Sequence, residues 1–500
     1  MTTFFQARRA LWWWLIPLLL LTTWLGARGL DADIVWVDEY HSVEDAGISY
    51  FGPLTPAGIW NRVATGNPWH APGYFFALNA WHRLVGPTPP ALRAMSLLFG
   101  LLTIAWTYRL GKELVGPRAG LFAAVILGTS AFYAHFLHEM RVYTLFTFLT
   151  VFTIWVYLRI VRSPRAPGWP WWLAFFGGAL ALLYIHYFAM LPLAAISLYH
   201  LLFVRKDRRW WLVVATLALA AVLFLPWVRV LIELFGRTED FDSLSSRALS
   251  VGDALTALAH YFSNGNVVLL FALLVPALLV RGRGARTILF LAFALLVLLF
   301  VVNAILKVMH GGRLRYLIAL WPLFSLVIAL GLLKLQRWRP LPLVLLAVWV
   351  GFGLYNTVVV DITSGLDGGR YIFPMHLIVR QVEGKLQPDD VIVNYLPDTG
   401  LPALQYERIG SFYYTPIDLE YLLVQSPPDD ADWPAKQAAF LELLGPRPRV
   451  WLASMPGNPP STLDAFTDEL LATHIRCEPS YSRAGLLLDL YAASPDLCQS

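Results

Sequence analysis

The chain has 500 residues, of which 57% are hydrophobic and 14% charged, and its mean hydropathy is +0.57. A soluble domain carries about a quarter charged residues, so the composition excludes an ordinary soluble globular protein and predicts an α-helical polytopic membrane protein. The formal charge of +5 does not point to nucleic acid, because the basic residues sit in short clusters between apolar spans, where retention on the cytoplasmic side accounts for them.

A helix needs about 17 to 25 predominantly apolar residues to cross the hydrocarbon. Eleven such stretches are predicted, near 11–30, 91–111, 118–137, 142–161, 170–187, 189–204, 210–231, 265–280, 286–305, 316–333 and 340–359. The first follows Arg8 and Arg9; its run Trp12-Trp13-Trp14 and the lack of a small-residue cleavage site predict a retained anchor rather than a cleaved signal. If the spans alternate, one set of connections collects Arg109, Lys112 and Arg118; Arg159, Arg162 and Arg165; Arg205, Lys206, Arg208 and Arg209; Arg281, Arg283 and Arg286; and Lys334, Arg337 and Arg339. That side is expected to be the cytoplasm, which places the N-terminus inside and the C-terminal segment outside the cell membrane.

Two outward connections are long. Residues 31–90 contain Asp38-Glu39 and two amphipathic runs, Pro56 to Val63 and Tyr74 to Leu84, expected to lie along the interface as short helices. Residues 232–264 are rich in Asp, Ser and Arg and read as a functional loop. The membrane module is thus expected over 1–360, with a small extracytoplasmic α/β domain over 361–500. Within it, 390–395, 449–454 and 485–491 read as strands and 461–474 as a helix. The two cysteines, Cys477 and Cys498, both fall in this segment. They are either two unrelated thiols or, if the segment is exported, a bridge closing a loop of about twenty residues and contributing roughly 3 kcal/mol on the chain-entropy estimate.

Asp38 and Glu39 carry charge beside a span, where charge is costly and commonly functional. Asp38 reads either as a general base or as a cap in the first turn of an interfacial helix, and Glu39 as its orienting partner or as a tie to a neighbouring helix. Arg141, flanked by Glu139 and Tyr143, reads either as a phosphate clamp or as a snorkelling Arg paired with Glu139. Lys307, His310, Arg313 and Arg315 lie at an outward face, where positive charge is depleted, and call for an anionic ligand. His70 is expected to be a satisfied loop histidine rather than a metal ligand, and His186 a packing or hydrogen-bonding residue. Asp31-Ala32-Asp33 matches an Asp-x-Asp pattern short enough to arise by chance. Neither a Gly-x-Gly-x-x-Gly fingerprint nor a Walker sequence is found, so no nucleotide or redox cofactor is expected.

In this order, the pieces resemble the membrane glycosyltransferases of the GT-C fold, in the bacterial branch related to protein O-mannosyltransferases and lipid A aminoarabinose transferases. The resemblance rests on Asp38-Glu39 after the first span; His70-Ala71-Pro72-Gly73-Tyr74-Phe75, running on to Trp81, Leu84 and Gly86; Arg93 with Ser96 and Gly100; Glu139-Met140-Arg141-Val142-Tyr143; and Arg315-Tyr316-Leu317 with Pro322. Ala71 and Gly73 depart from the family's usual Pro and Leu. The resemblance implies an inverting transfer of a sugar, hexosyl or pentosyl, from a polyprenyl-phosphate donor to a glycan, lipid or protein acceptor of the cell envelope, on the outer face. Asp38 would be the base, with Glu39 beside it, and Arg141, Arg315 and Lys307 would hold the donor phosphate, supported by His70, Glu139, Tyr143 and Arg313. Members differ in their need for a divalent metal, so metal dependence stays open. The alternatives are a transporter or flippase of lipid-linked sugars, for which the absence of an internal repeat is unfavourable, and an assembly protein that uses its C-terminal domain for binding.

Overall fold

The computed structural model describes residues 11–31, 37–48, 52–235, 250–306, 311–338, 340–360 and 362–363, and, towards the C-terminus, 382–387, 389–396, 406–410, 420–425, 438, 442, 444, 447–454, 467–483 and 486–498. The chain divides into two compact units, one of residues 1–31 and 38–368 and one of residues 32–37 and 369–500.

The first unit is helical. A 3-10 turn, Leu11–Trp14, leads into α1 (Leu15–Ala27); then come α2 (Val37–Asp45), α3 (Pro56–Gly66), α4 (Gly73–Val85), α5 (Pro89–Leu114), α6 (Pro117–Gly128), α7 (Ala131–His135) and α8 (Tyr143–Arg162). There follow α9 (Trp169–Ile185), α10 (Met190–Phe203), α11 (Arg208–Phe235), α12 (Val251–Phe262), α13 (Val267–Leu278), α14 (Arg283–Leu306), a 3-10 segment Gly311–Leu320, α15 (Trp321–Leu335) and α16 (Leu341–Tyr355). Among the described residues six helices are long and apolar enough to cross a membrane, two bent pairs pass the same test together, and three shorter helices are apolar. Each of the eleven apolar stretches read from the sequence falls on one of these. The runs at Pro56 and Tyr74 are helices as expected, and the second long connection contains α12, which meets α13 across a 94° bend.

Burial separates the helices by role. The spans Tyr143–Arg162 and Leu314–Leu335 have 78% and 83% of their most apolar stretch buried, and Arg208–Leu234 and Leu341–Val360 only 22% and 17%. The first two form the centre and the others expose leucines and valines such as Leu219, Val222 and Leu343, a surface that suits lipid rather than water. Within hydrocarbon, association relies on close van der Waals packing, and small residues permit it. A Cβ on Gly111 of α5 would stand 2.9 Å from Gly120 Cα of α6, and one on Gly120 would collide with the Tyr108 carbonyl.

One side chain reaches from one bend to the other. Asn264 has φ 53°; its Oδ1 accepts from the Ala131 N–H at 3.0 Å, at the break between α6 and α7. Its Nδ2 reaches the Thr129 and Trp349 carbonyls at 3.4 Å each, so backbone groups released by broken helices find partners, as a nonpolar medium requires.

The second unit holds a six-stranded sheet in the order β2-β3-β1-β4-β6-β5, with β1 Val391–Leu396, β2 Tyr406–Gly410, β3 Glu420–Gln425, β4 Arg449–Ser454, β5 Ile475–Arg483 and β6 Leu486–Ala492. The centre β3-β1-β4 is parallel, and β2, β6 and β5 join antiparallel. Three strands fall where the sequence predicts them; residues 461–466 of the expected helix lie outside the described residues. Ile392, Trp451, Leu488 and Leu490 form its core. Cys477 and Cys498 are joined, with Cα atoms 5.4 Å apart.

Candidate active site

The site is built on α2, whose first turn contains Asp38 and Glu39. Both carboxylates therefore stand at a helix N-terminus, as the capping alternative requires, yet their side chains have different partners. Glu39 is 1% exposed. Its Oε1 accepts from Arg93 Nε at 2.9 Å and from the Met140 N–H at 2.7 Å, and its Oε2 from Arg93 Nη2 at 2.6 Å. Arg93, near the start of α5, also donates to the Leu30 carbonyl at 3.0 Å. One bidentate pair thus ties α2 to the end of the first span, to α5 and to the 139–142 turn.

Asp38 is a quarter exposed. Its Oδ2 accepts from Arg315 Nη2 at 2.7 Å, and Arg141 Nη2 lies 3.7 Å away. Arg141 Nη1 donates to the Asp38 carbonyl at 2.6 Å and to Ser42 Oγ at 2.9 Å. Ser42, one turn after Asp38, donates in turn to the Asp38 carbonyl at 2.9 Å. Burial on its own would raise the Asp38 carboxyl, but Arg141 and then Arg315 outweigh it and hold it below the usual aspartate range. Groups 277 residues apart in sequence thereby meet at one carboxylate.

Arg141 is not the snorkelling partner of Glu139. It is 4% exposed, and Glu139 instead pairs with His135 Nε2 at 3.1 Å, one helical turn earlier; His135 Nδ1 meets Thr363 Oγ1 at 3.1 Å. Ser96 Oγ donates to the Glu139 carbonyl, fixing the turn that presents Arg141. His70 Nε2 stands 3.5 Å from Arg141 Nη2, and burial together with Arg141 keeps its imidazole neutral, well below the usual histidine value. The loop bearing it is pinned by Tyr187, whose hydroxyl donates to the Pro68 and His70 carbonyls at 2.6 and 3.1 Å. His186 is a packing residue as expected, stacked on Phe146 at 5.4 Å and accepting from the Phe188 N–H.

Three buried polar atoms here have no hydrogen-bond partner among the described residues: Arg141 Nε, Tyr74 Oη and Tyr143 Oη. Arg141 interacts electrostatically with both tyrosines, and Arg315 lies over the Tyr143 ring at 5.7 Å. A buried donor without a partner costs about 1 to 3 kcal/mol, so the cluster is suited to a ligand rich in acceptor oxygens. An apolar crevice lined by Phe146, Phe188, Leu295, Leu299 and Tyr316 adjoins it at Tyr316, next to Arg315.

Lys307 and His310 lie outside the described residues, as do the Arg313 side chain and Ala32-Asp33 of the Asp-x-Asp pattern. Among the described residues no group of three or more His, Cys, Asp or Glu is arranged to hold a metal ion. Sequence reasoning missed Ser42, His135 and the Arg93 pairing. Ser42 and His135 each lie four residues from a singled-out acid, on one helical face with it; Arg93 entered only through the resemblance.

Residues 69–230 match the family described as dolichyl-phosphate-mannose-protein mannosyltransferase. No curated protein matches the chain. Among solved structures, ArnT from Cupriavidus metallidurans in the apo state aligns over 97% of this chain and 98% of its own, at 15% identity and a TM-score of 0.59. The same enzyme bound to undecaprenyl phosphate aligns over the same shares, at 15% identity and a TM-score of 0.58. Arabinofuranosyltransferase AftD from Mycobacteria aligns over 96% of this chain and 40% of its own, at 14% identity and a TM-score of 0.50. The likeness to ArnT extends over nearly the whole of both chains at very low identity, and the chain has the fold of the GT-C membrane glycosyltransferases.

Proposed function

We propose that the chain is an inverting glycosyltransferase that moves a sugar from a polyprenyl-phosphate donor to an acceptor at the outer face of the membrane, with eleven crossings and the sheet domain outside. The observation that carries this reading is the convergence of Arg141 and Arg315 on Asp38, beside unpartnered buried hydroxyls.

In this mechanism Asp38 takes the proton of the acceptor hydroxyl as its oxygen bonds to the anomeric carbon, and the bond between that carbon and the phosphate oxygen breaks on the opposite face. The electron pair leaves with the phosphate, whose growing charge is met by Arg141 and Arg315 through donors that cost no reorganisation. Arginine suits this task because its planar donors match phosphate oxygens and its charge is permanent. The donor brings an anion to guanidinium groups already engaged by Asp38, so its arrival loosens their hold on the carboxylate and strengthens the base when a substrate is present. Tyr74 and Tyr143 supply hydroxyls for the sugar or the phosphate. Glu39 is a positioning residue, since Arg93 and the Met140 N–H occupy its carboxylate. Lys307 and Arg313 are proposed as further phosphate contacts from their place in the sequence alone.

The test is incubation of purified protein with a panel of radiolabelled polyprenyl-phosphate sugars and crude envelope acceptors, with Asp38→Asn as control. Transfer of one sugar that disappears in the variant is expected. A fully active Asp38→Asn enzyme is incompatible with the assignment.

A further inference from the structure

A second cluster lies at the other ends of α5 and α8. Arg93 and Tyr143, which belong to the Asp38 site, precede Arg109 and Arg159 by sixteen residues on their helices, which is about 24 Å of helix and close to the thickness of the hydrocarbon core. There a cavity of about 500 Å³ is lined by Ala105, Trp106, Tyr108, Arg109, Lys112, Glu113 and Arg159. A second, of about 210 Å³, shares Glu113 and Arg159 and adds Arg162 and Trp171. The two form one groove at the opposite membrane face.

Its charges are not balanced. Glu113 pairs with Arg159 at 2.7 Å and accepts from Trp155 Nε1 at 2.9 Å, but among the described residues no carboxylate pairs with Arg109 or Lys112. The guanidinium of Arg109 lies 4.2 Å from the centre of the Trp155 ring, and that of Arg159 lies 5.5 Å from the same ring and 5.4 Å from Trp171. These rings fix the cations without neutralising them. The Trp106 indole N–H, also in the lining, has no hydrogen-bond partner among the described residues. Cations held open at a membrane face, with a spare N–H donor and apolar walls, match a phosphate that carries acyl chains.

We infer that this groove binds the phosphate headgroup of an anionic glycerophospholipid from the leaflet opposite the Asp38 site. Arg109 and Lys112 meet the phosphate, Trp106 donates to it, and Ala105 with the Trp106 ring takes the start of the acyl chains. The inference rests on the chain spanning a membrane and not on the transferase reading.

The test uses purified full-length protein in nonionic detergent, titrated with phosphatidylglycerol or phosphatidylcholine and read by native mass spectrometry. Phosphatidylglycerol is expected to be retained at least about tenfold more tightly than phosphatidylcholine, and the double variant Arg109→Gln, Lys112→Gln to lose about tenfold of that affinity. Lys112→Gln alone, at an exposed position, is expected to lose about threefold and guards against misfolding of the double variant. Arg118→Gln, a basic residue outside the groove, should bind as the unaltered protein does. Equal retention of both lipids, or undiminished binding by the double variant, overturns the proposal. Displacement of the lipid by an equal concentration of inorganic phosphate also overturns it, because the groove would then be a site for free phosphate.

Discussion

The two ends of α5 and α8 handle positive charge in opposite ways. In the Asp38 cluster three arginines each meet a carboxylate: Arg93 with Glu39, and Arg141 and Arg315 with Asp38. At the far end Arg109 and Lys112 lie over aromatic rings and meet none among the described residues. Paired cations in a buried cluster are aimed, because each hydrogen bond fixes a direction; unpaired cations over rings attract without aiming. The first arrangement suits a reaction centre and the second a headgroup that exchanges with bulk lipid.

Four changes break or sharpen this contrast, beginning with the largest. Asp38→Asn is expected to reduce turnover about 10³- to 10⁴-fold, the usual scale for a lost general base, with donor binding retained in a direct lipid-binding assay. Glu39→Gln is expected to destabilise the chain by about 3 to 5 kcal/mol, because it leaves Arg93 buried beside a neutral amide; a large drop in melting temperature in detergent is the readout, and a small one would show that the tie between α2 and α5 is dispensable.

Asp45 tests the same unit through pH. Burial pushes its carboxyl from 3.8 up to about 6, so between those values the folded chain holds a proton that the unfolded chain has released. Stability then falls as pH rises through that window and is level above it. Asp45→Asn should abolish this fall, on the order of 3 kcal/mol, as read from melting temperatures across pH. The smallest effect is expected for Arg141→Gln. Donor affinity falls about tenfold, and the acid limb of the pH dependence of kcat/KM moves to higher pH, because burial then dominates the Asp38 carboxyl once a cation that lowers it is gone. A limb that stays in place would separate Arg141 from the base.

Much of the fold was legible because hydrocarbon demands long apolar runs, and the eleven stretches are written in consecutive residues. The site was legible in its members and not in its partnerships. Asp38, Arg141 and Arg315 stand out as charges beside spans, but nothing local announces that Arg93 takes Glu39 or that Glu139 turns to His135 rather than to Arg141. Those pairings depend on how the helices pack. In the sheet, β1, β4 and β6 are apolar runs and were readable, whereas β5 (Ile475–Arg483) contains Pro479 and polar residues that argue against a strand. Its place at the sheet edge, with an irregular register between Cys477 and Tyr481, explains why it tolerates them. The helix at 251–262 was not legible for a related reason: it carries an Asp and a His, and it meets α13 across a bend rather than in one apolar run.

The bridging by Asn264 has a mechanical consequence. Because a single amide grips Ala131 and Thr129 on one kinked element and Trp349 on α16, while its own backbone sits in the corner of the second kink, the two corners cannot act as independent hinges. Any rearrangement that opens one must carry the other with it, so motion in this part of the molecule is expected to be concerted rather than piecemeal.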